Sequence, residues 1–174
     1  MIVTGGTDGI GKETAKKLAE LNARVIITGR SEQKALNFIS NLPKAQGSNV
    51  TFKKVDFSDL ENVKIFSEEL LKNEAKIDIL INNAGLSMPV HQKTAQGAEF
   101  TIGVNHIAPV YLTSKLLPLL KKAEKARIIN VASNAHYKCS PDYNDFLQLN
   151  TKGEDYKWMT TYSSSKLANI LFTK

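Results

Sequence analysis

The sequence predicts an α/β protein built on a doubly wound parallel sheet, and three observations carry that prediction. Short apolar runs at 2–3, 24–28, 50–55 and 77–82 alternate with stretches of helical period, the order that βαβ units produce. The first run leads at once into Thr4-Gly5-Gly6-Thr7-Asp8-Gly9-Ile10-Gly11, a glycine loop between strand and helix. No internal repeat or low-complexity linker breaks the alternation, and 174 residues suit one domain with a substantial core. A single domain over 1–174 is expected.

The glycine loop is read through what glycine permits. Gly5, Gly9 and Gly11 let the strand turn sharply, let backbone approach a phosphate and let the next helix pack closely on the sheet. That helix presents unpaired amides and its positive dipole end. A dinucleotide phosphate is the expected ligand, with Thr7 and Ile10 sharing the loop, although a structural turn draws on the same residues.

The elements follow in order. The stretch 12–22 sets Ala15, Leu18 and Ala19 on one helical face. Residues 24–28 are β-branched and read as a parallel strand buried on both faces, ending at Gly29-Arg30. A helix over 32–42 closes at Pro43, and a polar loop leads to the strand at 50–55. Ser58 and Glu61 have capping-box spacing for a helix reaching residue 73, and the strand at 77–82 follows. A long helical stretch over 98–122 contains Pro109 and Pro118, which are expected to kink or interrupt it. The fifth strand is 127–132. Residues 133–155 are polar and aromatic without a period, an excursion of the kind reserved for binding or gating. A final helix over 160–174 reaches the last residue without a stop signal.

Composition narrows the function classes. Hydrophobic residues at 42% and charged residues at 23% argue against disorder and against a membrane protein. The net charge of +6 comes from lysines spread along the chain, which reads as a solvated basic surface and not as a nucleic-acid interface. Cys139 is the single cysteine, so no internal disulfide forms and a reducing compartment fits. No spacing suggests paired metal ligands, so no metal is expected. No apolar run has the length of a membrane span and no signal peptide is recognisable. The expected location is intracellular, cytoplasmic or membrane-associated, since an anchor preceding Met1 in a longer form would not be seen.

Tyr162 and Lys166 stand at i and i+4 in Tyr162-Ser163-Ser164-Ser165-Lys166, so both lie on one helix face. An ammonium beside a phenol favours the phenolate, the condition for a tyrosine to exchange a proton in general acid–base work. The same spacing also occurs in ordinary surface pairs.

Gly5, Gly9 and Gly11 follow the first strand, Asn82-Asn83-Ala84-Gly85 the fourth and Ser133 the fifth, with Tyr162 and Lys166 on the next helix. In that order the chain resembles, over essentially its whole length, the short-chain dehydrogenase/reductases, whose domain is a Rossmann fold. Residues 130–136 and 162–172 are similar to the retinol dehydrogenase-like branch. The resemblance implies that Tyr162 is the general acid in carbonyl reduction and the base in alcohol oxidation. It implies that Lys166 favours the tyrosine's ionised form and bonds the nicotinamide ribose, and that Ser133 orients the substrate carbonyl. Asn105, in Val104-Asn105-His106, matches the asparagine that supports a proton relay through water. The first of the family's two usual serines is Ala132 here. Asp56 matches the residue that bonds the adenine amine, with Phe57 adding a backbone contact, while Asn83, Ala84 and Gly85 would hold the central strand and line the adenosine ribose. Plain structural roles stand beside these: Asn105 as a helix-kink partner near Pro109, and Ser133 and Asp56 as cap or loop residues.

An NAD enzyme carries an acidic residue at the end of the second strand for the ribose hydroxyls. Here Gly29 takes that place and Arg30 follows. A guanidinium suits a 2′-phosphate, so NADP(H) is the expected cofactor, helped by Lys12; an exposed loop arginine is the bland alternative. The family's domain continues through two more strands, so the chain reads as C-terminally incomplete, with an open sheet edge. Two functions are expected from this. One is an NADP(H)-dependent oxidoreductase acting on a small-molecule carbonyl or alcohol, retinoid- or steroid-like. The other is a catalytically inactive truncated form that keeps the nucleotide fold and pairs with a full-length relative. A homodimer or homotetramer through the helices of Asn105 and Tyr162 is a family-level expectation.

Overall fold

The computed structural model describes residues 1–139, Asp145, Glu154 and residues 156–174. Five parallel strands form one sheet: β1 (Ile2–Val3), β2 (Val25–Gly29), β3 (Val50–Lys54), β4 (Ile79–Asn82) and β5 (Arg127–Asn130). Their spatial order is β3-β2-β1-β4-β5. The chain builds outward from β1 in one direction, then returns to pair β4 on its other side. This is the topological switch at which open α/β sheets bind ligands beyond the carboxyl ends of their strands. The fold is thus the Rossmann-type doubly wound sheet, and among the described residues it ends at β5 without the family's last strands.

The sheet is sandwiched because its residues alternate. Ile2, Ile26 and Leu80 stand in register across the centre and belong to the core on one face. There they join Val63, Phe66 and Leu70 of α4 (Leu60–Asn73) and Leu112 and Leu116 of α6 (Ala108–Leu120). Val3, Val25 and Ile27 feed the opposite core with Ala15 and Ala19 of α1 (Gly9–Glu20) and Ala35 and Phe38 of α2 (Glu32–Ser40). β1 has only two residues, but both are essentially fully buried, and each such side chain contributes roughly 1.5–3 kcal/mol.

Several boundaries differ from the sequence expectation. α1 begins at Gly9, three residues early, because Asp8 accepts from the Gly9 amide at 2.9 Å and caps it. α4 is capped by Asp59, which accepts from the Glu61 amide at 3.0 Å. Ser58, the expected cap, instead donates to Asp56 at 2.7 Å. A short helix, α3 (Lys44–Gly47), occupies part of the expected polar loop. The long stretch before β5 is continuous: α5 (Phe100–Ile102), a π-helical turn (Gly103–Ile107), then α6. Pro109 falls in the first turn of α6, directly after the wide π turn, and Pro118 lies inside α6, which continues to Leu120. The irregularity is the wide π turn, which ends at Ile107, two residues ahead of Pro109.

Of the excursion expected over 133–155, the described part is a 3-10 turn, Asn134–Lys138; most of the rest lies outside the described residues. The last helix, α7, runs Trp158–Thr173. No helix among the described residues is long and apolar enough to cross a membrane, and none of their His, Cys, Asp and Glu side chains form a metal-holding cluster.

Candidate active site

The carboxyl ends of the strands open onto one cavity of about 920 Å³, at the upper end of the roughly 300–1,000 Å³ of small-molecule and cofactor sites. Its walls bring together Gly5, Thr7, Gly9, Ile10 and Gly11 from the glycine loop, Arg30 after β2, Asp56 and Phe57 after β3, Asn83, Ala84 and Gly85 after β4, and Ser133, Tyr162 and Lys166. Of the residues singled out in the sequence, Asn105 and Lys12 do not line it.

The loop's geometry explains its glycines. Gly5 and Gly9 hold φ of +64° and +50°, a region that side chains disfavour. A Cβ on Gly11 would fall 2.3 Å from the Gly5 carbonyl oxygen and 2.4 Å from Asn83 Nδ2, so helix and loop touch backbone to backbone. Asn83 completes the joint by donating to the carbonyls of Thr4 and Gly5 at 2.9 and 3.2 Å. Thr4 works from the other side: its buried hydroxyl accepts from the amides of Asn83 and Ala84 at 3.0 and 2.9 Å. The ends of β1 and β4 are thereby locked together, and the first turn of α1 faces the cavity.

The chain fits a dinucleotide on an observation of its own. A Cβ at Gly9 would meet nothing within 4 Å, so this left-handed glycine borders open space at a helix N-terminus, the arrangement that receives phosphate. Around it stand cations. Arg30 is exposed at the rim. Lys34, on the first turn of α2, shares the cavity wall and pairs with Asp8 at 2.6 Å. That bond and the Gly9 amide hold the Asp8 carboxyl below the usual carboxylate range. Lys12 lies over the Phe38 ring, 5.9 Å from its centroid, in a neighbouring groove.

At the other end, Tyr162 and Lys166 share one face of α7, the ammonium 5.6 Å from the phenol ring centroid. Lys166 is 5% exposed, and its Nζ donates to the Val131 carbonyl at 3.1 Å. Burial pushes its pKa below the usual 10.5. Ser133 caps the 3-10 turn, its Oγ accepting from the Ala135 amide at 3.2 Å, and Asp56 accepts from the amide and hydroxyl of Ser58. Both therefore hold the cap or loop position that their residue types favour, while still bordering the cavity.

Asn105 is fully buried behind the wall, on the π turn. It accepts from the Leu86 amide and donates to the Leu86 carbonyl, both at 2.8 Å, and donates to Ser165 Oγ at 3.0 Å. Its side chain clamps the segment after Gly85 to α7. Thr4, Lys34 and Ser165 were not singled out in the sequence. Lys34 stands one turn past Arg30 behind a Ser31 cap, a spacing that was the available signal.

Comparison with known proteins agrees with this geometry. The model of the short chain dehydrogenase family matches residues 1–144. The chain is 40% identical over 176 residues to human retinol dehydrogenase 11 and 41% identical over 175 residues to human retinol dehydrogenase 12; each alignment takes in 100% of this chain and 54% of the relative. Among solved structures, an uncharacterised protein of Mycobacterium paratuberculosis superposes with a TM-score of 0.84 at 32% identity, over 99% of this chain and 59% of that one. A short-chain dehydrogenase of Escherichia coli CFT073 complexed with NADPH gives 0.76 at 26% identity, over 98% and 67%. The chain belongs to the short-chain dehydrogenase family and is retinol dehydrogenase-like within it. It spans about half the length of the curated relatives it matches.

Proposed function

We propose that this protein is an NADP(H)-dependent oxidoreductase that moves a hydride between the nicotinamide and a carbonyl or alcohol of a lipophilic, retinoid- or steroid-like small molecule. The observation that carries the reading is the shared cavity: the phosphate-type glycine loop and the Tyr162–Lys166 pair border the same space. Retinol dehydrogenase relatives support the substrate class, and Arg30 at the end of β2 supports NADP(H).

When bound, the dinucleotide supplies or accepts the hydride. Gly9, Ile10 and Gly11 would receive its phosphates at the N-terminus of α1. Arg30 would pair the 2′-phosphate, Asp56 and Phe57 would meet the adenine, and Asn83, Ala84 and Gly85 would border the ribose. Tyr162 holds the transferred proton at its phenolic oxygen, giving it to a carbonyl oxygen in reduction and taking it from an alcohol in oxidation. Lys166, fixed by Val131, favours the phenolate and is placed to bond the nicotinamide ribose. Ser133 orients the carbonyl. Asn105 acts through Leu86 and Ser165 as a positioning residue. The inactive-form alternative is not favoured, because the cofactor loop and the proton-transfer pair occur together and line one cavity. In the test, purified protein oxidises NADPH in the presence of a retinoid aldehyde, and Tyr162→Phe lowers turnover by about 10²–10⁴-fold while the NADPH dissociation constant holds. Turnover unchanged in the variant would overturn the assignment.

A further inference from the structure

We propose that Lys34 is a second cofactor-specificity residue: with Arg30 it forms a two-cation receptor for a phosphate on the adenosine ribose, and Asp8 holds its ammonium in place until that phosphate arrives. The inference rests on the NADP(H) reading and extends it to a residue pair.

Three features place Lys34 there. The Ser31 hydroxyl caps α2 and accepts from the Lys34 amide at 3.3 Å, which fixes where this side chain starts. Its Nζ then reaches to Asp8 Oδ2 at 2.6 Å, on the glycine loop itself. The ammonium therefore spans from the start of α2 to the cap of α1, and Lys34, Asp8 and Arg30 all border the cavity. A dinucleotide with its pyrophosphate at α1 and its adenosine beside Arg30 brings the ribose into that span.

The pair is also built to be exchanged. Both side chains lie largely in water, 61% and 71% exposed, where an ion pair is worth little. A phosphate dianion offers more charge and more acceptor oxygens than one carboxylate, so Lys34 gains by the exchange. Asp8 then stands as an unpaired anion beside another anion, which opposes binding. The two residues of one salt bridge thus have opposite effects on NADPH, both larger than on NADH, a signature that a merely structural pair does not produce.

The experiment is a fluorescence titration of the purified protein with NADPH and with NADH. For Lys34→Met, the NADPH dissociation constant rises about tenfold while that for NADH stays within about twofold. For Asp8→Asn, which keeps a good helix cap, the NADPH constant falls by more than the NADH constant does; thermal melting of both variants confirms the fold. If Arg30→Ala abolishes a wild-type preference for NADPH but Lys34→Met does not, the inference about Lys34 falls and the cofactor reading stands. Weaker NADPH binding in Asp8→Asn overturns the holding role of Asp8. Equal binding of the two dinucleotides by the wild type overturns the cofactor reading and this inference with it.

Discussion

His106 sits between the clamp residue Asn105 and the hydrogen bonds that hold Lys166. Its Nδ1 lies 3.0 Å from Asn169 Oδ1. Asn169 in turn donates to the Val131 carbonyl at 3.4 Å, the same oxygen that accepts from Lys166 at 3.1 Å. Burial holds the His106 pKa below the usual 6.5, outweighing the Asn169 bond, which acts in the opposite direction. The folded protein therefore releases this proton while the unfolded chain still binds it, so stability rises with pH in the window between the folded value and 6.5. Acidification down through that window is expected to lower the urea midpoint, and His106→Gln to flatten the dependence. Equal acid sensitivity in the two proteins would count against the histidine as its source.

Among the elements, those with strong local signals were legible in the sequence: the β-branched run of β2, the amphipathic α1 and the glycine loop between β1 and α1. Gly11 gives the sharpest test of that joint. Gly11→Ala drives a methyl into the Gly5 backbone, so a loss of about 1–3 kcal/mol is expected in thermal unfolding, together with loss of NADPH binding. Wild-type melting and binding would show that the close approach is not required. What the sequence hid depends on distant partners. Asp59 outcompetes Ser58 as the cap of α4 because Gln96 also donates to it, at 2.9 Å, and Asp56 takes the Ser58 hydroxyl. The π turn has no composition signal of its own; it places Asn105 against Leu86, and such turns concentrate at functional sites. The same reason separates the site residues. Tyr162 and Lys166 were legible because a helix alone brings them together. Thr4, Lys34 and Ser165 gain their long-range partners, Asn83, Asp8 and Asn105, only when β4, the glycine loop and the π turn are folded against them.

At the scale of the whole molecule, β3 and β5 form the two margins of the sheet among the described residues. Among the described residues β5 pairs only with β4, and Ile128 and Ile129 are 37% and 44% exposed. A strand margin of this kind recruits other strands. Sedimentation of a polypeptide limited to residues 1–174 is expected to show concentration-dependent association, reduced by Ile129→Lys; a monomer at every concentration in both proteins would remove this margin as a contact. The Val131 carbonyl, immediately beyond β5, adds a last consequence. It anchors the Lys166 ammonium, the group proposed to favour the Tyr162 phenolate, and it directly follows a strand at one margin of the sheet. The pitch and register of that outer strand are therefore transmitted straight to the Tyr162–Lys166 pair. Whatever steadies the margin tunes the chemistry from outside the cavity, and whatever lets it fray detunes it before a single side chain in the cavity has changed.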